Sequence, residues 1–275
     1  MTFPFKPVLA ALCIIAAPAQ AHEFWIDADD YAVPEGKSVV ASFRNGELFA
    51  GSALSYIPNR STRFDMVAGG ETVEVPARIG DNPAFDVADL PEGLLTIIQE
   101  TSDLKLTYTE KDGKTGWERF AAFAEHKDLG DVGAAQDARG LPREDPVEQY
   151  RRFAKALVAV GDGAGEDARR DLRVEFVVGA NPYTDDVSGG LPVQLFFEDA
   201  PRADAQIEMF DRAPDGSVEV TLHRTDAEGR ATLPVTPGHE YLLDSVTLLP
   251  LEVAAEGDPM WQTLWAALTF AVPGE

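Results

Sequence analysis

The chain has 275 residues, 47 acidic against 23 basic, with a formal net charge of −24 and a single cysteine. A field of that sign repels nucleic acid and anionic lipid and gathers cations, so nucleic acid is excluded as a partner. One cysteine excludes a disulfide framework, and acidity alone serves solubility as readily as it serves metal binding.

The first segment in chain order reads as an export signal. Lys6 supplies a positive n-region, Val8 to Ala17 an apolar stretch, and Ala19-Gln20-Ala21 the small residues that a signal peptidase requires. The apolar stretch is shorter than the roughly 20 residues that span a bilayer. Residues 1–21 are therefore expected to leave as a signal peptide, giving a periplasmic protein with no stable membrane insertion after cleavage. Leu12 stands before Cys13 where a lipoprotein signal needs a small residue, so Cys13 is expected to leave with the leader. The remainder, roughly 250 residues, suffices for one large domain or two smaller ones.

Residues 22–110 read as short strands with turn punctuation, the pattern of an N-terminal β-sandwich of immunoglobulin-like kind. Val33-Pro34-Glu35-Gly36 is a turn before the alternating Ser38 to Phe43, Ala68-Gly69-Gly70-Glu71 a hairpin turn, and Leu94 to Gln99 an apolar strand. Residues 111–165 change period and read as a helical insertion. Trp117, Phe120, Ala121 and Ala124 share one helical face, and Gly130 to Arg143 is a polar loop. A second helix is expected from Asp145 to Val160: Asp145 is a good N-cap, Pro146 suits the first helical position and Glu148 completes a capping box. Gly161 to Asp167 reads as a hinge, without the ligand spacing of a calcium loop. From 166 to 275 strand alternation returns in a C-terminal β-sandwich, with Val174, Phe176 and Val178 inward and hairpin turns at Pro214-Asp215-Gly216 and Asp226 to Gly229. The fold class is mainly β: two β-sandwich domains around a short helical insertion.

The chemistry centres on His22. Cleavage after Ala21 makes it the first residue, where the α-amine and ring Nδ1 chelate one ion, as in a histidine brace; such nitrogens suit copper, nickel and zinc. Cleavage after Ala19 instead places His22 third, the amino-terminal copper and nickel chelate. His126 closes the first helix beside carboxylates and doubles as a cation complementing the helix C-terminus. His223 is expected on the outer face of a strand whose inner face is Val218, Val220 and Leu222, and His239 in a turn. No Gly-x-Ser-x-Gly elbow, no cysteine nucleophile and no His-Glu-x-x-His helix is present.

His22-Glu23-Phe24-Trp25, Arg152 to Leu157, Thr225 to Arg230 and Leu264 to Phe270, in that order, resemble a periplasmic domain-of-unknown-function family, family 4198. Its members are often labelled NikM-like nickel-uptake or cobalt-transporter accessory proteins. The resemblance covers essentially the whole mature chain. It implies an immunoglobulin-like sandwich, a helical insertion and a C-terminal sandwich similar to carboxypeptidase-regulatory or transthyretin-like modules, together with handling of divalent metal. His22 matches the family's N-terminal histidine. Many relatives carry a histidine in the strand after the last hairpin, where this chain reads Tyr241 to Val246; there Asp244 takes the ligand's place.

The sequence therefore predicts a non-enzymatic protein that binds a divalent transition metal (nickel, cobalt or copper) for an envelope metal transporter. Its expected metal ligands are His22, His126 and Asp244. Two rivals remain: a metal-free envelope interaction module, and a copper oxidase built on a histidine brace.

Overall fold

A computed structural model describes residues 22–274. The expected signal peptide lies outside the described residues. Among the described residues, eighteen strands form three sheets, with two short α-helices outside them, so the mainly β class holds.

The largest sheet has ten strands. From one edge its order is Val218–Arg224, Gln206–Arg212, Glu240–Pro250, Trp261–Ala271, Val147–Val160, Gly93–Thr101, Ser61–Ala68 and Glu71–Glu74. Ala32–Val33 and Leu104–Thr107 also pair with Val147–Val160. Side chains alternate between the faces of a strand, and each face carries its own core. Ala154, Ala156, Val158, Leu242 and Ala267 pack under a small sheet built from Glu23–Ala28, Val39–Glu47, Ala50–Leu54 and Phe85–Val87. Phe153, Leu157, Leu243, Leu268 and Phe270 pack under the other small sheet, of Val174–Val178, Leu191–Phe197, Ala200–Pro201 and Arg230–Leu233. Strands from both halves of the chain meet in the shared central sheet.

The helix α1, Gly116–His126, carries the expected apolar face, with Phe120, Phe123 and Ala124 buried. Thr115 starts it: its hydroxyl accepts from the Glu118 amide while the Glu118 carboxylate accepts from the Thr115 amide, a closed capping box. Phe120 and Phe123 pack on Trp261 and Trp265 of the central sheet. The helix α2, Val132–Ala138, lies inside the segment expected to be loop; Asp131 caps it by accepting from the Ala134 amide.

The expected second helix is instead a strand, Val147–Val160, fourteen residues long and paired on both sides. Phe153 to Val160 is buried on both faces. A strand buried that way reads as a continuous apolar run that periodicity cannot separate from a buried helix. The cap signals fail for the same reason. Asp145 sits at φ 37, and Glu148 turns into the interior to accept from Tyr108 Oη at 2.7 Å. Gly161 to Asp167 is also more fixed than a hinge: the Asp167 carboxylate is buried and accepts from Lys155 Nζ at 2.8 Å.

The hairpin at Gly69 and Gly70 and the turn at Pro214 to Gly216 form as expected. On the edge strand Val218–Arg224 the expected inner face is covered only at Val218, which packs against the core. Leu222 is 59% exposed, whereas His223 is half-buried with Nε2 2.9 Å from Thr221 Oγ1. No described helix is long and apolar enough to cross a membrane.

Candidate functional site

The site is organised by the strand Glu23–Ala28, from which Glu23 and Phe24 project to opposite sides. On the Glu23 side lies a buried ion cage. Lys127, the residue that closes α1, directs Nζ to Glu23 Oε1 at 3.0 Å and Asp244 Oδ2 at 2.8 Å, and also donates to Glu208. All four side chains are buried. Glu208 and Asp244 are direct cross-strand partners, an arrangement of like charges that the ammonium between them offsets. The Trp265 ring lies 5.0 Å from Nζ and adds its π face to the cage. His126 forms the outer wall: its Nε2 is 2.7 Å from Glu208 Oε1, and its side chain is 44% exposed.

Burial and charge oppose each other inside the cage. Burial alone would lower the Lys127 ammonium, but the Asp244, Glu23 and Glu208 carboxylates outweigh it and hold the lysine firmly protonated. The Asp244 carboxyl is pushed up to about 7, first by burial and then by Glu23 and Glu208, against the pull of Lys127. Burial would raise Glu208 too, yet its bonds with His126 and Lys127 prevail and hold it below the usual range. The bond to Glu208 raises His126, against partial burial.

The oxygens of Glu23, Glu208 and Asp244 lie within 4.8 Å of one another, close enough to share a metal ion. Lys127 decides against it. Its ammonium already bonds all three carboxylates, so it occupies the place that a bound cation would take. The triad does not fit a resident metal without displacement of a strongly held lysine.

On the Phe24 side the first small sheet and the central sheet enclose a cavity of about 470 Å³. Phe24, Phe43, Tyr56 and Tyr150 contribute aromatic walls, with Arg152 and His22 at its polar end. Arg152 donates from Nη2 to the His22 carbonyl at 2.9 Å and stacks over Tyr150 at 4.7 Å. His22 itself is open, with its side chain 52% exposed and Nδ1 3.2 Å from Glu47 Oε1.

The three residues expected to ligate a metal thus divide. His126 and Asp244 come together, but as parts of the Lys127 cage. His22 lines the cavity instead, beside Glu47. His239 Nδ1 lies 2.6 Å from Asp211 Oδ1.

Residues 19–248 match the family described as a domain of unknown function, DUF4198. The chain belongs to this family. The comparison with curated proteins found no match. Among solved structures, a tetra-tandem repeat in the extending region of a large adhesion protein is 11% identical with a TM-score of 0.22, over 91% of this chain and 49% of that one. The chain therefore spans about half of that relative's length. A Salmonella alpha-2-macroglobulin mutant gives 12% identity and a TM-score of 0.22, covering 95% of this chain and 15% of that one. The D0-D1 domain of intimin gives 12% identity and a TM-score of 0.20, over 90% of this chain and 97% of that one.

In this member of the family, sequence reading missed Glu23, Lys127 and Glu208. Glu23 and Lys127 adjoin residues already singled out, His22 and His126, and a strand or a helix end carries such neighbours in different directions. Glu208 carried no local signal, because only its register opposite Asp244 brings it to the cage.

Proposed function

We propose that this DUF4198 protein is an exported, non-enzymatic binding protein for a divalent transition metal, with His22 as the anchoring ligand. The observation that carries the reading is the His22–Glu47 pair. Nδ1 is the ring atom that closes a chelate with a residue's own α-amine, and here it faces a carboxylate oxygen at 3.2 Å. Cleavage after Ala21 would free that amine, giving two nitrogens and one oxygen in an exposed position. This donor set suits nickel, copper or cobalt. The Arg152 bond to the His22 carbonyl fixes the peptide from which the chelate would project.

Delivery of the metal to an envelope transporter accords with the NikM-like label of the family's members and is part of the proposal. The oxidase alternative gains little support, since His126, His223 and His239 each face a partner elsewhere. Calorimetric titration with nickel and copper tests the reading on protein processed to His22. His22→Ala is expected to weaken binding by roughly a hundred-fold or more, as loss of an imidazole ligand from a chelate should. Glu47→Gln should weaken it by roughly three- to ten-fold, the share of one exposed carboxylate. Equal affinity in all three proteins would mean that the acidic surface collects cations nonspecifically, and the metal-free interaction module would then be the better reading.

A further inference from the structure

We propose that the cavity between the first small sheet and the central sheet binds a small organic carboxylate with a flat apolar body, anchored by Arg152. The cavity shares His22 with the proposed chelate, but its anchor is Arg152 and it needs no metal.

The charge pattern is the first argument. Asp and Glu outnumber Lys and Arg two to one in the chain, 47 against 23. Yet the described lining of the cavity contains Arg60, Arg152 and His22 and neither Asp nor Glu. An acidic protein has reversed its sign inside one concave surface, which favours an anion there.

The state of Arg152 is the second. No carboxylate among the described residues lies within 4.0 Å of its guanidinium, whereas Arg44, Arg63, Arg151 and Arg212 of the same face and its surroundings all have one. Its one side-chain hydrogen bond among the described residues goes to the His22 carbonyl, and its Nε is buried with no partner. A buried donor without an acceptor costs free energy that a ligand oxygen would recover. Glu148, Asp244 and Glu23 act on Arg152 only from a distance, and each is engaged elsewhere: Glu148 with Tyr108 and Thr263, the other two with Lys127. Nη1 also has no hydrogen-bond partner among the described residues, so the guanidinium retains donors for a planar, two-oxygen acceptor, the geometry it matches best.

The walls supply the third. Tyr150 and Phe24 hold the guanidinium at 4.7 and 5.7 Å from their ring centroids, which fixes its plane. Phe43 and Leu104 continue the lining with apolar surface. A bare inorganic anion would leave that surface unused, and a cation would meet two arginines. A carboxylate on a flat apolar body satisfies both halves.

The test uses the processed full chain, stripped of metal with EDTA and desalted, with benzoate as the probe. Benzylamine has the same ring with the opposite charge, and inorganic phosphate is an anion without the ring. Calorimetry should show saturable benzoate binding with a dissociation constant of order 1 mM, what a ligand of this size supports. Arg152→Gln should weaken it by roughly ten- to hundred-fold, the loss of charge-assisted bonds. Arg152 also holds the His22 peptide, so a second variant acts from the rim. Ser52→Phe, at an exposed position of the strand Ala50–Leu54, fills the cavity and should abolish benzoate binding without moving the thermal midpoint. Benzylamine should not bind, and phosphate should bind at least about ten-fold more weakly than benzoate, for want of the apolar contact. The proposal is overturned if benzoate does not saturate, if Ser52→Phe binds it as the parent does, or if phosphate or benzylamine binds as tightly. His22 titrations with nickel fail or succeed separately, because these measurements contain no metal.

Discussion

At the scale of single residues, Lys127 has the largest consequence. It is the one cation bonded to three buried carboxylates, so its removal leaves like charges facing one another without water. Lys127→Met should cost roughly 3–5 kcal/mol in denaturant unfolding, the range for breaking a buried ion pair from one side. A loss below about 1 kcal/mol, the scale of an exposed pair, would mean that the cage is open to solvent. The same cage sets a pH dependence. A carboxyl raised on folding, as Asp244 is to about 7, binds more protons in the native than in the unfolded state between its ordinary range and that value. Stability therefore falls as pH rises through that window. His126 is raised as well and contributes in the same direction, its stabilisation being lost as pH climbs through its native pKa. Thermal midpoints should thus decline from about pH 5 to pH 8, and Asp244→Asn should flatten much of the decline. A midpoint that rises over this range would contradict the assignment. His22 and His126 stood out in the sequence as histidines, and Asp244 only through the family resemblance. Their separation was not legible, since it depends on which side of the strand Glu23–Ala28 each contact occupies.

At the scale of elements, the sequence was clearest where a local device decides the structure. The α1 helix has its own capping box, an apolar stripe and a neighbouring pair of tryptophans to receive it. Thr115→Ala should cost about 1 kcal/mol, as loss of such a cap does, with the native circular dichroism otherwise retained. A negligible change would place the start of α1 under tertiary rather than local control. The strand Val147–Val160 shows the opposite case. Asp145, Pro146 and Glu148 satisfy every rule for a helix start, and the sheet overrides them. Its neighbours pair with it over nine residues on one side, Glu148 to Ala156 against Trp261 to Thr269. Long-range pairing of that extent is invisible to a local window. The edge strand Val218–Arg224 misled for a simpler reason. With only one neighbour, the core covers its apolar face at Val218 but leaves Val220 and Leu222 exposed, so alternation gave the period but not how far the burial extends.

At the scale of the whole molecule, two hydrophobic cores lie on opposite faces of one sheet. A shared sheet couples them, so denaturant unfolding should be a single transition. Tryptophan fluorescence, which reports Trp25, Trp261 and Trp265 on one face and Trp117 in α1, should coincide with far-ultraviolet circular dichroism from all strands. Two separated transitions would mean that the cores fold independently despite the shared strands. Function also belongs to this scale, because the cation cage and the sign-reversed cavity are built on either side of one strand at the start of the described chain. Lys127 already bonds the carboxylates of the cage, so the proposed site for an ion from outside is His22 instead. Electron paramagnetic resonance of the copper(II)-loaded protein, processed to His22, tests that claim most directly. Hyperfine splitting from two equatorial nitrogens, one from the imidazole and one from the α-amine, is expected, and both should disappear in His22→Ala. A spectrum unchanged by His22→Ala would contradict that claim.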